Sequence, residues 1–137
     1  MKKITRNIPL LIACIAVLAL MQQCVFSDTP IEKILAKAAN DMNKTCPTMV
    51  DRETRLDNTV VLPGKIFQYN YTFIHWTKDS LDFARLQNEM EPAILNGVKT
   101  SPDLKVYRDH NVTMAYNYGD KKGVFLFKII ITPDKYK

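Results

Sequence analysis

Glycine, histidine and cysteine are scarce in this chain of 137 residues, and their scarcity excludes several kinds of functional site. The four glycines, at positions 64, 97, 119 and 123, are scattered and form no glycine-rich loop that could cradle the phosphates of a nucleotide. The two histidines, His75 and His110, lie far apart, and no cysteine or carboxylate accompanies them at the spacing of a recognised metal site. We therefore expect neither a cofactor nor a metal ion.

Long runs of basic residues are also missing, since no run of lysine and arginine exceeds two residues. The formal net charge is +5, but Lys2, Lys3 and Arg6 precede an apolar segment at the N-terminus. Without these three, sixteen basic residues stand against fourteen acidic ones. Nucleic-acid-binding domains carry a clustered basic face, so we predict no nucleic-acid partner.

The N-terminus has the pattern of an export signal. The basic lead MKKITRN is followed by fourteen residues without a charge, 8–21, fewer than the roughly 20 apolar residues that span a bilayer. Extended through residues 8–26, the segment would make a marginal inner-membrane anchor. We predict export across the bacterial inner membrane to a periplasmic, membrane-anchored or secreted location. Residues 1–27 would be a signal peptide or an uncleaved anchor, and residues 28–137 a single domain.

Whether the exported protein can form a disulfide depends on whether that N-terminal segment is cleaved. Cleavage after Ser27 would leave Cys46 as the one cysteine of the exported part, which then could form no internal disulfide. If the segment is retained, Cys24 could meet Cys46, although at the membrane boundary. We favour a partly buried thiol at Cys46 that packs as a small hydrophobe.

Hydrophobic periodicity predicts two similar halves. Thr29-Pro30 and Glu32 have the pattern of a capped helix start, and apolar residues at helical spacing continue to Met42. Residues 59–62 and 65–74 form a predicted hairpin around Pro63-Gly64. The second strand alternates, with these aromatic residues on one face: Phe67, Tyr69, Tyr71 and Phe73. We interpret this row as core, the alternative being an exposed face for a sugar, a peptide or a partner strand.

The second half repeats the order of helix and two strands. A helix is predicted over 80–96, a short helical turn over 101–108, and strands over 112–118 and 124–132. The last strand is apolar on both faces. This favours a central position in the sheet, or a second face that is covered by a group the sequence pattern does not identify. We predict an α+β fold in the order α-β-β-α-β-β, a four-stranded antiparallel sheet with helices on one face, plus an N-terminal hydrophobic helix. The repeated tripeptide Tyr-Asn-Tyr, at 69–71 and 116–118, hints at a duplicated unit.

A motif spread along the chain resembles a loose group of small exported bacterial proteins of unknown role. It comprises Pro47, Val50-Asp51, Thr54, Leu56, Tyr69-x-Tyr71, Val112 and Tyr116-x-Tyr118-x-Asp120. The resemblance covers most of residues 40–132. Some members of that group carry a cysteine pair where Ser101 and Tyr136 stand here, so that disulfide is absent. The α-β-β order is also similar to that of periplasmic inhibitor modules of the PepSY and β-lactamase-inhibitor kind, a likeness of fold alone.

The stretch CPTMVDRETRLD, residues 46–57, concentrates the charge of the chain and is the candidate binding surface. Its predicted binding residues are Asp51, Arg52, Glu53, Thr54, Arg55 and Asp57. The alternative is a self-satisfied bend, because Asp51 and Thr54 have the spacing at which a side chain caps the backbone N–H groups of a turn.

These patterns favour a non-enzymatic, exported cell-envelope module that binds a protein, as an inhibitor, adaptor or immunity-type factor. Two alternatives remain open. A cysteine-dependent hydrolase or thiol-exchange enzyme would use Cys46 with His75 or His110, and a structural assembly subunit would use the apolar last strand. The oligomeric state is not indicated by the sequence.

Overall fold

The computed structural model describes residues 30–137, in which the predicted helices and strands fold into one mixed sheet with helices packed on it. The strands are β1 (Thr48–Met49), β2 (Thr54–Leu62), β3 (Ile66–Phe73), β4 (Thr113–Gly119) and β5 (Phe125–Ile131). The helices are α1 (Pro30–Asn43), α2 (Phe83–Thr100), α3 (Lys105–Asp109) and α4 (Pro133–Tyr136), with a 3₁₀ turn at Pro102–Leu104.

The sheet has five strands in the order β1-β2-β3-β4-β5, and β3 and β4 are parallel while all other neighbours are antiparallel. The α+β class is confirmed, but the prediction of four antiparallel strands is wrong. The chain between β3 and β4 passes through α2 and α3, and a crossover of this length allows the next strand to run parallel. Strand β1 has only two residues, too few for an alternating pattern.

One face of the sheet carries the core. Phe67 and Met114, paired in register on β3 and β4, are fully buried on this face, as is Ile131 on β5. Helix α1 packs on β2, burying Ile31 and Leu35. Helix α2 packs on β5 at the other side of the sheet. The two helices therefore stand above the outer strands, and the aromatic side chains of β3 and β4 fill the space between them.

Strand β5 lies at an edge of the sheet, so its predicted central position is wrong. Its apolar character has two sources: Ile129 and Ile131 face the core, whereas Phe125 and Ile130 remain exposed. Side chains reach the carbonyl groups of this edge strand, since Gln87 Nε2 donates to Lys128 O at 3.4 Å and Lys135 Nζ donates to Ile130 O at 3.2 Å. Such contacts hinder pairing with another chain, which weakens the case for assembly through the last strand.

Helix α2 continues past its predicted end at Asn96-Gly97. It begins at Phe83, where the side chain of Asp82 accepts a hydrogen bond from Arg85 N, and it runs through Pro92 to Thr100. Val98, in the added turn, is buried in the core, so tertiary packing outweighs the helix-ending tendency of Gly97.

None of the helices within residues 30–137 is long and apolar enough to cross a membrane. The predicted export segment at residues 1–27 and the N-terminal hydrophobic helix lie outside the described residues. They stay predictions, as does the domain boundary at residue 28.

Candidate functional site

An open groove of about 500 Å³ lies at the end of the sheet where β2 begins and β3 ends. One wall is the loop between β1 and β2, and the other is the first half of α2. Its lining residues are Asp51, Arg52, Glu53, Thr54, Phe73, Trp76, Leu86 and Met90. Four of the six residues predicted for binding therefore line one concave surface.

The floor and the helical wall of the groove are apolar. Phe73 ends β3 and is buried, and its ring lies 4.9 Å from the ring of Trp76, centroid to centroid. Leu86 and Met90 are four residues apart on α2, so they project from the same side of the helix. Both are only half-buried. Apolar side chains that are held in place but not covered are suited to receive an apolar partner.

The rim of the groove is charged and held by a tight turn. Asp51 Oδ1 accepts hydrogen bonds from the backbone N–H groups of Glu53 and Thr54, both at 2.7 Å, as the spacing of Asp51 and Thr54 predicts. The carbonyl of Glu53 accepts from Ile74 N at 2.9 Å, which ties the turn to the end of β3. Within residues 30–137 the side chains of Arg52 and Glu53 form no hydrogen bond or ion pair, so a partner could engage both charges.

The other two predicted binding residues lie on the opposite face of the sheet. Arg55 Nε and Asp57 Oδ1 form an ion pair at 2.5 Å, and Thr72 Oγ1 donates to Asp57 Oδ2 at 2.6 Å. Thr54 faces the core, so its neighbour Arg55 faces away from it. The structure thus divides the charged stretch into a groove rim and a separate cross-strand cluster.

The proposed thiol site pairs Cys46 with either His75 or His110, and these two histidines occupy different places in the fold. His75 follows the end of β3, and His110 precedes the start of β4. Because β3 and β4 are parallel and in register, the two histidines lie at opposite ends of the sheet. In the part of the chain that the structure describes, neither imidazole is hydrogen-bonded to Cys46. The thiol is half-buried and unpaired by any disulfide, and it packs against the core.

Among the described residues, no group of three or more histidine, cysteine, aspartate or glutamate side chains is arranged to hold a metal ion.

Asp120 fixes the loop that carries Trp76, a role that sequence reasoning missed. Its carboxylate is buried and accepts hydrogen bonds from three backbone N–H groups: Lys78 at 3.1 Å, Lys122 at 2.8 Å and Val124 at 2.9 Å. Burial alone would raise the pKa of Asp120, but these three bonds outweigh it and lower the pKa below its usual value. Lys121 N also donates to Trp76 O at 3.0 Å, so the β4–β5 loop holds one side of the groove.

The two Tyr-Asn-Tyr tripeptides pair residue by residue across the parallel strands β3 and β4. The rings of Tyr69 and Tyr116 stack with centroids 5.1 Å apart, and so do those of Tyr71 and Tyr118. Residues 69–71 lie in β3, the second strand of the β2–β3 hairpin. Residues 116–118 lie in β4, the first strand of the β4–β5 hairpin. These are not equivalent places, so the match reflects strand register and does not support a duplication.

Comparisons with known proteins agree on the fold. A secreted-protein candidate from Pseudomonas aeruginosa aligns with a TM-score of 0.63 and 11% identity, over 77% of this chain and 91% of that one. The type II secretion pilotin EpsS of Vibrio vulnificus aligns with a TM-score of 0.61 and 9% identity over the same shares. The pilotin AspS of Vibrio cholerae aligns with a TM-score of 0.56 and 10% identity, over 76% of this chain and 90% of that one. At these identities the likeness establishes the fold alone.

Sequence comparison identifies the family. No curated protein matches the chain. Residues 29–127 match a domain of unknown function, DUF8479. Because this match covers well over half of the chain, the protein belongs to the DUF8479 family.

Proposed function

We propose that this protein is an exported, non-enzymatic module of the bacterial cell envelope that binds another protein through the groove between α2 and the β1–β2 turn. The observation that carries the proposal is the groove itself, in which half-buried Leu86 and Met90 face a rim bearing the unpaired charges of Arg52 and Glu53. An apolar floor with a polar rim is the usual composition of a protein interface.

Two further findings support this function. The fold is shared with pilotins, which are components of type II secretion systems, and by analogy we propose a role as an adaptor or assembly factor in the envelope. The basic lead and apolar segment at the N-terminus support delivery to that compartment. We also propose that the protein is related to the small exported bacterial proteins that its sequence motif resembles.

The rim charges indicate how the partner is selected. Arg52 and Glu53 are adjacent and of opposite sign, so a partner gains by presenting an acidic and a basic group across from them. The pairs would be solvent-exposed, and each would contribute about 0.2–1 kcal/mol. The apolar contacts with Leu86 and Met90 would supply most of the affinity.

Site-specific photo-crosslinking in the producing bacterium tests the function. A photo-reactive side chain replaces Arg52 at the groove rim of the full-length protein, and as a matched control it replaces Arg55 on the opposite face. We expect a specific adduct from position 52, and we expect Met90→Gln to reduce it while Ile130→Gln, at an exposed site on β5, leaves it unchanged. Equal adducts from positions 52 and 55, or an adduct insensitive to Met90→Gln, would show that the groove is not the binding site.

A further inference from the structure

Trp76 lines the groove from a loop and not from a helix or strand. It belongs to the connection between β3 and α2, residues 74–82, and its half-buried side chain packs against the ring of Phe73. Leu86 and Met90 are held by the regular hydrogen bonds of α2, whereas a loop forms fewer backbone hydrogen bonds to offset its conformational entropy. The position of Trp76 therefore depends on the contacts that anchor this loop.

Hydrogen bonds from the β4–β5 loop, residues 120–124, anchor the peptide groups around Trp76. Lys121 N donates to Trp76 O at 3.0 Å, and Lys78 N donates to Asp120 Oδ2 at 3.1 Å. The side chain of Asp120 is buried, and neither Asp120 nor Lys121 is among the residues that line the groove. A loop outside the groove thus holds a side chain that lines it.

The two carboxylate oxygens of Asp120 accept hydrogen bonds from different loops. Oδ1 accepts from Lys122 N at 2.8 Å and from Val124 N at 2.9 Å, both within the β4–β5 loop. Oδ2 accepts from Lys78 N in the β3–α2 loop. Hydrogen bonds to an ionised acceptor are stronger than neutral ones, so this one carboxylate is a firm connection between the two loops.

We propose that Asp120 is a positioning residue of the groove, which sets the affinity for the partner without touching it. Its hydrogen bond to Lys78 N holds Trp76 in the position that the partner contacts. The inference rests on the proposed function and adds a coupling between the groove and the β4–β5 loop. A protein whose binding-competent arrangement is only partly populated binds more weakly in proportion. The coupling is reciprocal, so a bound partner stabilises the β4–β5 loop.

Two substitutions remove this hydrogen bond from its two ends. Asp120→Asn keeps Oδ1 as the acceptor for the β4–β5 loop and replaces Oδ2 by an NH2 group, which cannot accept from Lys78 N. Lys78→Pro removes the N–H donor. Lys78 is the second residue of a turn in which Ser80 N donates to Thr77 O at 2.8 Å, and proline is favoured at that place in a turn. Asp79→Asn, at an exposed residue of the same turn, is the matched control for Asp120→Asn.

Fluorescence tests the positioning without any ligand, because Trp76 is the one tryptophan of the chain. In the full-length protein, we expect Asp120→Asn and Lys78→Pro each to shift the emission to longer wavelength and to increase its quenching by acrylamide. Asp79→Asn should change neither reading. Circular dichroism verifies that each variant is folded, and if one of the two is not, the other decides. Unchanged emission and quenching in the folded variants would overturn the proposal.

The effect on affinity is measured with a peptide probe. Twelve-residue peptides are selected from a phage-displayed library on the full-length protein, and one whose binding is weakened by Met90→Gln is synthesised. We expect Asp120→Asn and Lys78→Pro each to weaken its binding roughly 3- to 30-fold, because the lost hydrogen bond no longer favours the binding-competent loop. The double variant should bind no more weakly than either single variant, since both remove the same contact. Asp79→Asn should bind as the wild type does.

Amide hydrogen exchange measures the coupling in the other direction. Saturation with the peptide should slow exchange at Lys122 N and Val124 N in the wild type, and it should slow it less in Lys78→Pro. Both amides lie outside the groove and donate to Asp120 Oδ1. Exchange at these amides that the peptide does not alter in the wild type would refute the coupling.

The outcomes separate this inference from the function on which it rests. Binding weakened by Met90→Gln but not by Asp120→Asn or Lys78→Pro would refute the role of Asp120 and leave the groove intact. Effects of the two substitutions that add up in the double variant would also refute it, because the substitutions would then act through different contacts. Failure to recover any peptide sensitive to Met90→Gln would refute the groove as the binding site, and the inference with it, whatever the fluorescence of Trp76 shows.

Discussion

The side chain of Asn43 takes the place of a neighbouring strand along part of β2. Strand β1 pairs only with Arg55 and Leu56, so the edge of β2 is uncovered beyond that point. There Asn43 Nδ2 donates to Thr59 O at 2.9 Å, and Thr59 N donates to Asn43 Oδ1 at 2.7 Å. One amide side chain thus satisfies both backbone groups of a residue that is 1% exposed, and it fastens the end of α1 to the sheet.

We expect Asn43→Ala to reduce the free energy of unfolding by about 1–3 kcal/mol, because it leaves a buried N–H and C=O without partners. Urea denaturation followed by circular dichroism measures the change. Asn40→Ala is the control, since Asn40 is exposed on the same helix and should change stability by less than about 0.5 kcal/mol. Similar effects of the two substitutions would contradict this role for Asn43.

Asp120 should make the fold sensitive to acid. Because folding lowers the pKa of Asp120, its carboxylate contributes stability at pH values above its pKa in the unfolded chain, ordinarily about 3.9. That contribution is lost as the pH falls through the lower folded-state pKa. We expect Asp120→Asn to be less stable than the wild type at pH 7, and to lose less stability on acidification below pH 4.

Denaturant titrations at several pH values between 7 and 2 measure this effect. Part of the acid sensitivity should remain in Asp120→Asn, because ion pairs with Lys37 and Lys44 also lower the pKa of Asp41, to about 2. Asp103→Asn serves as the control, since Asp103 is exposed and has no hydrogen-bond partner among residues 30–137. If Asp120→Asn responded to acid as the wild type does, the hydrogen bonds of the Asp120 carboxylate would not be the source of the acid sensitivity.

At the scale of elements, the end of α2 depends on a residue that follows it. The last carbonyl groups of a helix lack partners within the helix. Arg108, on α3, supplies them: its Nη1 donates to Val98 O at 2.7 Å and to Ser101 O at 2.8 Å. This contact helps α2 to continue beyond Gly97, and it joins α2 to the chain that leads into β4.

We expect Arg108→Met to lower the free energy of unfolding by about 1–2 kcal/mol, because methionine keeps the apolar stem but loses both hydrogen bonds. Amide hydrogen exchange should show faster exchange in the last turn of α2. Lys105→Met is the matched control: it removes the exposed pair with Asp109, which contributes only about 0.3–0.5 kcal/mol. Unchanged exchange at the end of α2 in Arg108→Met would disprove the capping role.

Most elements were predictable from local patterns, and the exceptions have physical causes. The apolar stripe of α1 and the turn at Pro63-Gly64 are local signals, and both elements lie where they indicated. Strand β1 was missed because it exists only through two pairs formed with β2. The end of α2 was placed too early because Val98 is retained in the helix by long-range packing.

At the scale of the whole molecule, export is the prediction that the described residues leave open. We expect residues 1–27, fused to a reporter enzyme that is active only outside the cytoplasm, to produce activity in a bacterial host. Replacing Lys2 and Lys3 with glutamate should reduce it, because the positive lead orients the segment in the membrane. Mass spectrometry of the exported full-length chain would distinguish a product that starts at Asp28 from a retained anchor. No activity from the wild-type fusion would contradict export.

The candidate site was only partly foreseeable. Asp51, Arg52, Glu53 and Thr54 stood out because charged residues cluster in sequence next to a predicted strand. Trp76, Leu86 and Met90 complete the groove but lie more than twenty residues away along the chain. The helical spacing of Leu86 and Met90 is typical of ordinary core residues. Only the packing of α2 against the sheet shows that Leu86 and Met90 remain partly uncovered.

By itself the sequence determined the α+β class, the identity of most helices and strands, and the separation of apolar from polar faces, since all of these follow from local periodicity and turn chemistry. Tertiary structure alone decided the parallel pairing of β3 with β4, the edge position of β5 and the alignment of the two Tyr-Asn-Tyr tripeptides. It also divided the charged stretch between two faces of the sheet. These features depend on contacts between residues far apart in the chain, whose free energies no local pattern encodes.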